Sequence, residues 1–458
     1  MRYQLEDYQE RSVQMMMQNP FHYLAYEMGL GKTLIVLDYL KRTNQKALVV
    51  APLLVAQRTW PQEIKKWGFF QDEKDCVILH GPNKDTLVKS NARIKVINYD
   101  GLKWLYKHVA TRGSNDLSDR VLVIDEGTCI KTPSSVRFRV LKSMQHFFRR
   151  GIFVLSGTPM PNGYLDLYSQ YWMLDRGSAL GNTYTGFKRR YFYESGPPRW
   201  VCELRPGAGE DIRSRITPLT SVLLAEDHVK LPASIQREVK VDLPAAIRKK
   251  YAELQKEYTW EHEDQKWTVD SAGVLVNKLR QLTQGAMYKR EEGEEYDKLH
   301  EQKLDALDSL VESAAGDPVV CAINFKFELD MIRKRFGYKV PCISGGMSLK
   351  EKEKILNEFG QRKVPLLLCH PASMSHGLND LQQVAHIIIW YSLPWSLEHY
   401  DQLNGRLIRR GQKRSVIIFH IIAANTIDQR ISKVLMQKNV TQEQFKQAIL
   451  DGAKEKAI

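Results

Sequence analysis

The chain has 458 residues, 43% of them apolar, which is too long for one hydrophobic core and sufficient for two. It carries 67 Lys and Arg residues against 53 Asp and Glu residues, and the formal net charge of +14 favours a polyanionic partner such as nucleic acid. The six cysteines include no CxxC pair, which argues against a disulfide framework or a zinc site, and no apolar stretch approaches a membrane span.

Short apolar runs alternate with amphipathic stretches in the first third of the chain, which predicts a parallel sheet with crossover helices. The predicted strands there are residues 21–27, 46–52, 95–99, 120–125 and 151–156. The same alternation returns later, with predicted strands at residues 318–323, 339–344, 364–369, 384–390 and 415–422. The predicted fold class is α/β, with two lobes that are each a mainly parallel sheet covered by helices.

The two predicted lobes are separated by a charged stretch that is richer in helix. We place the boundary near residue 230, so that residues 1–230 form an N-terminal lobe with a helical extension after about residue 162. Residues 231–458 form the C-terminal lobe, preceded by a helical connecting segment at about 244–300.

Residues 28–33, MGLGKT, follow the first predicted strand and precede a predicted helix at 34–41, the context of a phosphate-binding loop. Glycines let the backbone amides approach the phosphates, and the helix N-terminus adds positive potential. Lys32 would reach the β- and γ-phosphates, and Thr33 would bind Mg²⁺. Tyr26 stands where the longer form of this loop has a small residue, and a glycine-rich helix cap is the alternative. The predicted ATP contacts are Met28, Gly29, Leu30, Gly31, Lys32 and Thr33.

Two further motifs follow at the ends of predicted strands. Asp125 and Glu126 lie where an ATPase needs a metal-binding carboxylate and a base, so Asp125 would hold Mg²⁺ and Glu126 would deprotonate the attacking water. Ser156 and Thr158, in LSGTP, would offer hydroxyls beside the nucleotide. Either motif alone is compatible with an ordinary turn. Their order after the loop predicts ATP hydrolysis, with ATP and Mg²⁺ as cofactors.

In this order the motifs resemble those of helicase superfamily two, and more narrowly those of Swi/Snf-type ATPases that translocate on double-stranded DNA, in a compact bacterial or phage-like form. The resemblance covers nearly the whole chain and implies two RecA-like lobes with the ATP site between them. LEDYQ (5–9) is similar to the opening motif, which implies that Gln9 contacts adenine. Residues 51–67 resemble a block that lines the DNA path in relatives, although we expect Trp60 and Trp67 in the core.

The strongest match is PWSLEHYDQLNGRLIRRGQ at residues 394–412. The resemblance implies that Arg409 is an arginine finger, with Arg406 beside it and Gln402 contacting phosphate or water. Arginines of this kind stabilise the charge that develops on the γ-phosphate. A solvated or DNA-facing basic stripe on a helix is the alternative for the two arginines.

Four residues are implied to couple hydrolysis to DNA: Ser156, Thr158, Gly377 and Asn379. The motif that contains the last two carries Ser375 and His376 where relatives have two glycines.

Two other positions depart from the family pattern. Gly127 and Thr128 follow the acidic pair where relatives usually carry Ala and His, so coupling through an imidazole is not available there. Lys352 replaces an arginine, which keeps the charge and loses the bidentate fork.

The resemblance implies a DNA-dependent ATPase that steps along duplex DNA without sequence specificity, as a monomer, and a further protein partner is left open. One alternative is a strand-separating helicase, although no large wedge insertion is visible. The other is an ATP-gated nucleic-acid-binding switch with little turnover, which would not need both a base and a finger. We expect a soluble protein in the cytoplasm of a bacterial or virus-infected cell, or in the nucleus of a eukaryote.

Overall fold

The computed structural model describes residues 4–69, 75–112, 117–194, 202–229, 231, 233–257, 259–262, 265–268, 272–290, 294–337, 339–374 and 381–455. The chain divides into two compact units, one formed by residues 1–230 with 438–458 and the other by residues 231–437. The prediction of a second lobe over 231–458 is therefore wrong for its last residues. They belong to the first unit because Phe445 and Ile449, each 1% exposed, lie in its hydrophobic core.

The first unit is built on a seven-stranded parallel sheet. The strands of this sheet are β1 (Phe21–Tyr26), β2 (Lys46–Ala51), β3 (Cys76–Ile78), β4 (Ile94–Asn98), β5 (Arg120–Asp125), β6 (Ile152–Leu155) and β9 (Thr220–Leu223). Strands β7 (Phe192–Glu194) and β8 (Cys202–Leu204) form a separate antiparallel hairpin. The order across the sheet is β3-β4-β2-β5-β6-β1-β9. Since β5, β6 and β1 are neighbours and parallel, the motifs that follow them lie along one edge of the sheet.

Helices cover this sheet because its strands are apolar on both faces. In β2, for example, residues 47–51 are all buried, as expected for a strand that has helices above and below it. The helices are α1 (Asp7–Gln18), α2 (Lys32–Arg42), α3 (Trp60–Trp67), α4 (Lys84–Leu87), α5 (Leu102–Arg112), α6 (Val136–Met144), α7 (Leu167–Asp175), α8 (Tyr184–Tyr191), α9 (Ala208–Ile216) and α10 (Ala225–His228).

The second unit has a six-stranded parallel sheet in the order β10-β19-β18-β15-β17-β16. The strands of this sheet are β10 (Ser234–Val241), β15 (Val319–Ala322), β16 (Cys342–Ile343), β17 (Leu366–Cys369), β18 (Ile387–Trp390) and β19 (Val416–Ala423). Two antiparallel hairpins are formed by β11 (Thr259–His262) with β12 (Gln265–Thr268), and by β13 (Ala286–Tyr288) with β14 (Tyr296–Lys298). The helices are α11 (Ala245–Glu257), α12 (Ala272–Thr283), α13 (Gln302–Ser313), α14 (Lys326–Phe336), α15 (Leu349–Gly360), α16 (Pro371–Met374), α17 (Leu397–Leu407) and α18 (Ile427–Glu455), whose residues from 438 onwards belong to the first unit.

Both units confirm the predicted α/β class of two RecA-like lobes, and each of the ten predicted strands is present. Of the strands in the two large sheets, the sequence did not predict β3, β9 or β10, and it also missed the three hairpins. The predicted helical connecting segment at about 244–300 contains α11 and α12, but also the hairpins β11–β12 and β13–β14. Strand β3 has only three residues, and β10 is an edge strand whose sequence SIQREVKV is largely polar and exposed, so neither has a strong apolar pattern. Within the ranges that the structure describes, no helix combines the length and the apolar character needed to cross a membrane.

Candidate active site

The loop from Met28 to Thr33 connects the end of β1 to the start of α2, as the sequence predicts. Gly29 and Gly31 have φ angles of 87° and 75°, a left-handed conformation that residues with side chains rarely adopt. Space also restricts Gly31, because a Cβ atom there would lie 2.5 Å from Gln9 Nε2. A glycine loop that leads into a helix N-terminus can present backbone amides to an anion.

Gln9, on α1, is 6% exposed and contacts this loop directly. Its Nε2 donates to the carbonyl oxygen of Leu30 at 3.3 Å, and its Oε1 accepts from the Glu6 backbone N–H at 3.1 Å. The Leu30 side chain is fully buried and anchors the loop. Gln9 is therefore held beside the nucleotide loop, although its contact with adenine stays a prediction.

Tyr26, the departure from the longer loop pattern, belongs to the core. Its side chain is 1% exposed, and its hydroxyl donates to Ser12 Oγ at 3.0 Å and accepts from Ser221 Oγ at 2.9 Å. The tyrosine thus connects α1 and β9 to the strand that carries the loop. A small residue at this position would lose both hydrogen bonds.

Lys32 is the first residue of α2, and its ammonium contacts the backbone at the end of β1. Its Nζ donates to the carbonyl oxygens of Tyr26 at 2.6 Å and of Glu27 at 3.2 Å. Burial lowers the pKa of Lys32, while the nearby carboxylates of Glu126 and Asp125 act in the opposite direction. The lysine thus contacts the end of β1 and lies within electrostatic range of the acidic pair, and its contact with phosphates stays a prediction.

Asp125 ends β5, and a buried tryptophan fixes its carboxylate. Trp60 is fully buried on α3, and its Nε1 donates to Asp125 Oδ2 at 2.9 Å. The Tyr99 hydroxyl donates to the Asp125 carbonyl oxygen at 2.8 Å. Burial raises the pKa of Asp125, and the Trp60 hydrogen bond and Lys32 oppose that rise. The sequence predicted both Trp60 and Trp67 in the core; this is confirmed for Trp60, whereas Trp67 is only partly buried. It gave no signal of the hydrogen bond from Trp60 to Asp125.

Glu126 has φ 64° and ψ 67°, an unusual backbone conformation for a residue other than glycine and one that is often found at functional sites. Its Oε1 accepts from Thr128 Oγ1 at 3.3 Å and from Ser156 Oγ at 3.4 Å. Ser156 is fully buried, and its Oγ also accepts from the Thr158 backbone N–H at 3.2 Å. The motif after β6 therefore contacts the predicted base directly.

Gly127 has a steric explanation. A Cβ atom at this position would lie 2.5 Å from Val154 Cγ1 and 2.7 Å from Gln170 Oε1. Gln170 cannot move away easily, since it is fully buried and its Oε1 accepts from the Tyr23 hydroxyl at 2.7 Å. The alanine that relatives usually carry would not fit here without repacking.

In the second unit, Gln402 lies on α17 and is 3% exposed. Among the residues that the structure describes, neither its Oε1 nor its Nε2 has a hydrogen-bond partner. Buried polar atoms without a partner are rare, and they often mark a position that binds a ligand or water. This observation fits the predicted contact of Gln402 with phosphate or water.

The two predicted catalytic arginines lie in different local structures. Arg406 is on α17, whereas Arg409 lies in the turn after the helix ends at Leu407. In this turn the Arg409 N–H donates to the Leu407 carbonyl oxygen at 3.1 Å, and Gly411 has φ 98°. The alternative of a helical basic stripe therefore does not describe Arg409.

The predicted coupling residues Gly377 and Asn379, with Ser375 and His376, lie outside the described residues. Lys352, the replacement of a family arginine, is 5% exposed on α15, and burial lowers the pKa of its ammonium.

Comparison with known proteins gives two family matches. The SNF2-related domain matches residues 8–290, and the helicase conserved C-terminal domain matches residues 302–411. Protein p41 of Acyrthosiphon pisum secondary endosymbiont phage 1 is 31% identical over 449 residues, which cover 94% of each chain.

Two longer proteins are also similar. A Bacillus subtilis (strain 168) protein, provisionally named ATP-dependent helicase/translocase YwqA, is 25% identical, with 93% of this chain and 46% of that protein aligned. The DNA repair and recombination protein RAD54-like of Gallus gallus is 23% identical, with 89% of this chain and 62% of that protein aligned. The chain thus spans less than two thirds of each of these two relatives.

Proposed function

We propose that this chain, which belongs to the SNF2-related family of helicase-type ATPases, uses ATP hydrolysis to move along double-stranded DNA. The observation that carries the proposal is the contact of Ser156 Oγ with Glu126 Oε1, which links the motif after β6 to the base that would activate water. The RAD54-like relative is named for DNA repair and recombination, and the net charge of +14 favours a polyanion. We further propose that the protein acts as a monomer in the cytoplasm of a bacterial or virus-infected cell, or in a eukaryotic nucleus.

In this proposal Lys32 holds the β- and γ-phosphates, and Glu126 orients and deprotonates the attacking water. Arg409, with Arg406 and Gln402, stabilises the charge that develops on the γ-phosphate. Mg²⁺ would neutralise phosphate charge when it is bound. The Thr33 hydroxyl and the Asp125 carboxylate fit this ion, because Mg²⁺ prefers hard oxygen ligands.

We propose that the DNA contacts are made mainly to the phosphate backbone, so that binding does not depend on base sequence and weakens as salt rises. ATPase activity measured without nucleic acid, and with single-stranded DNA, duplex DNA and RNA, tests the partner. We expect the largest stimulation by duplex DNA. Uniformly low activity under all four conditions would favour the switch with little turnover. High activity that is equal under all four would contradict dependence on DNA.

Movement needs a separate assay. We expect the protein with ATP to displace the third strand from an intact triplex, and to leave the strands of a forked duplex paired. Efficient separation of the fork would contradict translocation without unwinding and would favour a strand-separating helicase.

The hydrogen bond from Trp60 to Asp125 gives a prediction about Mg²⁺. Trp60→Phe keeps an aromatic ring in the core and removes the N–H group that orients the carboxylate. We expect the Mg²⁺ concentration for half-maximal ATP binding to rise about tenfold, the usual scale for loss of a group that orients a metal ligand. Fluorescence titration of a labelled nucleotide against Mg²⁺ measures this change without hydrolysis.

Trp67→Phe is the matched control, because Trp67 lies on the same helix and donates to a different carboxylate, Glu63 Oε2, at 2.6 Å. Its Mg²⁺ dependence should stay at the wild-type value. Equal shifts in the two variants would show that the helix, and not the Trp60 hydrogen bond, is responsible.

A further inference from the structure

Lys446 is a buried charged residue outside both matched family regions. It lies on α18, in the part of this helix that belongs to the first unit, and only 5% of its side chain is exposed. Lysine is almost never buried to this extent unless it is paired. Its partner is Glu27, whose Oε1 accepts from Lys446 Nζ at 2.7 Å.

Glu27 is the residue directly before the nucleotide loop, and each of its polar groups is held. Its second carboxylate oxygen, Oε2, accepts from the Ala225 backbone N–H at 2.9 Å. Its own N–H donates to the Leu223 carbonyl oxygen at 3.1 Å, and its carbonyl oxygen accepts from Lys32 Nζ at 3.2 Å. The side chain of Glu27 thus connects α18 and the start of α10 to the start of the loop, and its backbone N–H adds a contact with the end of β9.

The ion pair of Glu27 and Lys446 also interacts electrostatically with Lys32. Burial alone would raise the pKa of Glu27, but Lys446, the Ala225 amide and Lys32 together lower it below its ordinary value. Glu27 is therefore an anion that faces two lysines, one from the loop and one from α18. Lys446 and Lys32 are the two cations whose charges lower the pKa of Glu27. Without Lys446, the carboxylate would attract Lys32 more strongly and compete with the nucleotide phosphates for it.

Packing holds Lys446 at this position. Phe445 and Ile449, its neighbours on α18, are buried in the core of the first unit, and the Phe445 ring meets the Tyr164 ring edge to face at 6.0 Å. Because the helix backbone is already anchored, only the lysine side chain has to be ordered when the ion pair forms. The ion pair can therefore hold the Glu27 side chain in position, because Lys446 is positioned by its helix and not by Glu27.

We propose that Lys446 is a positioning residue for nucleotide binding: through Glu27 it fixes the start of the loop at residues 28–33 and leaves Lys32 available for the phosphates. The inference rests on the assignment of this loop to ATP, which is part of the proposed function, and it does not depend on translocation. It gives α18, which lies beyond the matched helicase region, a role at the nucleotide site.

The test is a titration of the intact chain with a fluorescent ATP analogue in the absence of DNA. We expect Lys446→Met to weaken nucleotide binding about tenfold, the scale of one lost hydrogen bond between charged groups. Lys446→Arg should restore binding to within about twofold of wild type, because it keeps the charge and the donors. A purely structural role would not predict this rescue by charge.

Lys433→Met is the control, since Lys433 is exposed on the same helix and the substitution removes the same charge. Its nucleotide affinity should match wild type. If Lys446→Met does not fold, the double variant Glu27→Gln/Lys446→Met takes its place, because it buries no unpaired charge. A smaller loss of nucleotide binding is then expected, because the ion pair no longer fixes the start of the loop but no carboxylate is left to compete for Lys32.

Wild-type affinity in the folded Lys446→Met protein, or in the double variant that replaces it, would overturn the proposal. Failure of the translocation proposal would leave the titration unchanged, because the experiment contains no DNA. The two proposals can therefore fail separately.

Discussion

Replacing Glu126 with Gln should slow ATP hydrolysis by about two to four orders of magnitude and leave ATP binding nearly unchanged. The amide keeps an oxygen that can accept from the Thr128 and Ser156 hydroxyls, which contact Glu126 Oε1 at 3.3 and 3.4 Å. It cannot take a proton from water. Single-turnover hydrolysis and nucleotide titration, measured on the same protein, separate the two effects.

Lys32→Ala is the comparison for this variant, because it should abolish turnover by removing the group that holds the phosphates. If the Glu126→Gln variant hydrolysed ATP at the wild-type rate, another residue would have to be the base. A loss of binding equal to that of Lys32→Ala would instead show that Glu126 is needed to shape the site.

The second large effect is expected at Arg409, where substitution by Ala should lower kcat by about three orders of magnitude, the lower end of the range for an arginine finger. The KM for ATP should change little, because the arginine acts on charge that develops only in the transition state. Steady-state ATPase measurements with saturating duplex DNA give both constants.

Arg410→Ala is the matched control, as Arg410 is the next residue and is exposed. It should affect duplex-DNA affinity at most and leave kcat close to wild type. If the two variants behaved alike, Arg409 would not be the finger, and Arg406, on the last turn of α17, would be tested next.

The sequence was most informative where function depends on short, local patterns. Strand β5 has the predicted bounds, Arg120–Asp125, since its apolar run ends at the acidic pair. Helix α2 begins at Lys32 because Gly31 ends the loop in a left-handed conformation. A local pattern of this kind fixes both the secondary structure and the residue types that the chemistry needs.

Contacts between distant parts of the chain left no such pattern. Glu27 and Lys446 are 419 positions apart, and each could equally be a solvated surface charge when the sequence is read alone. Trp60 was predicted to be buried, but burial does not reveal which carboxylate its N–H contacts. Gly127 likewise stood out as a departure from the family, and only the positions of Val154 and Gln170 explain it.

The return of residues 438–458 to the first unit has a consequence for synthesis on the ribosome. Domains generally fold in order as they emerge, but this unit cannot complete its core after residue 230, because Phe445 and Ile449 are still to be translated. At about 5–20 residues per second, the roughly 220 intervening residues delay completion by about 10–40 s. During that interval the apolar surface that these two side chains cover stays open to solvent and to chaperones.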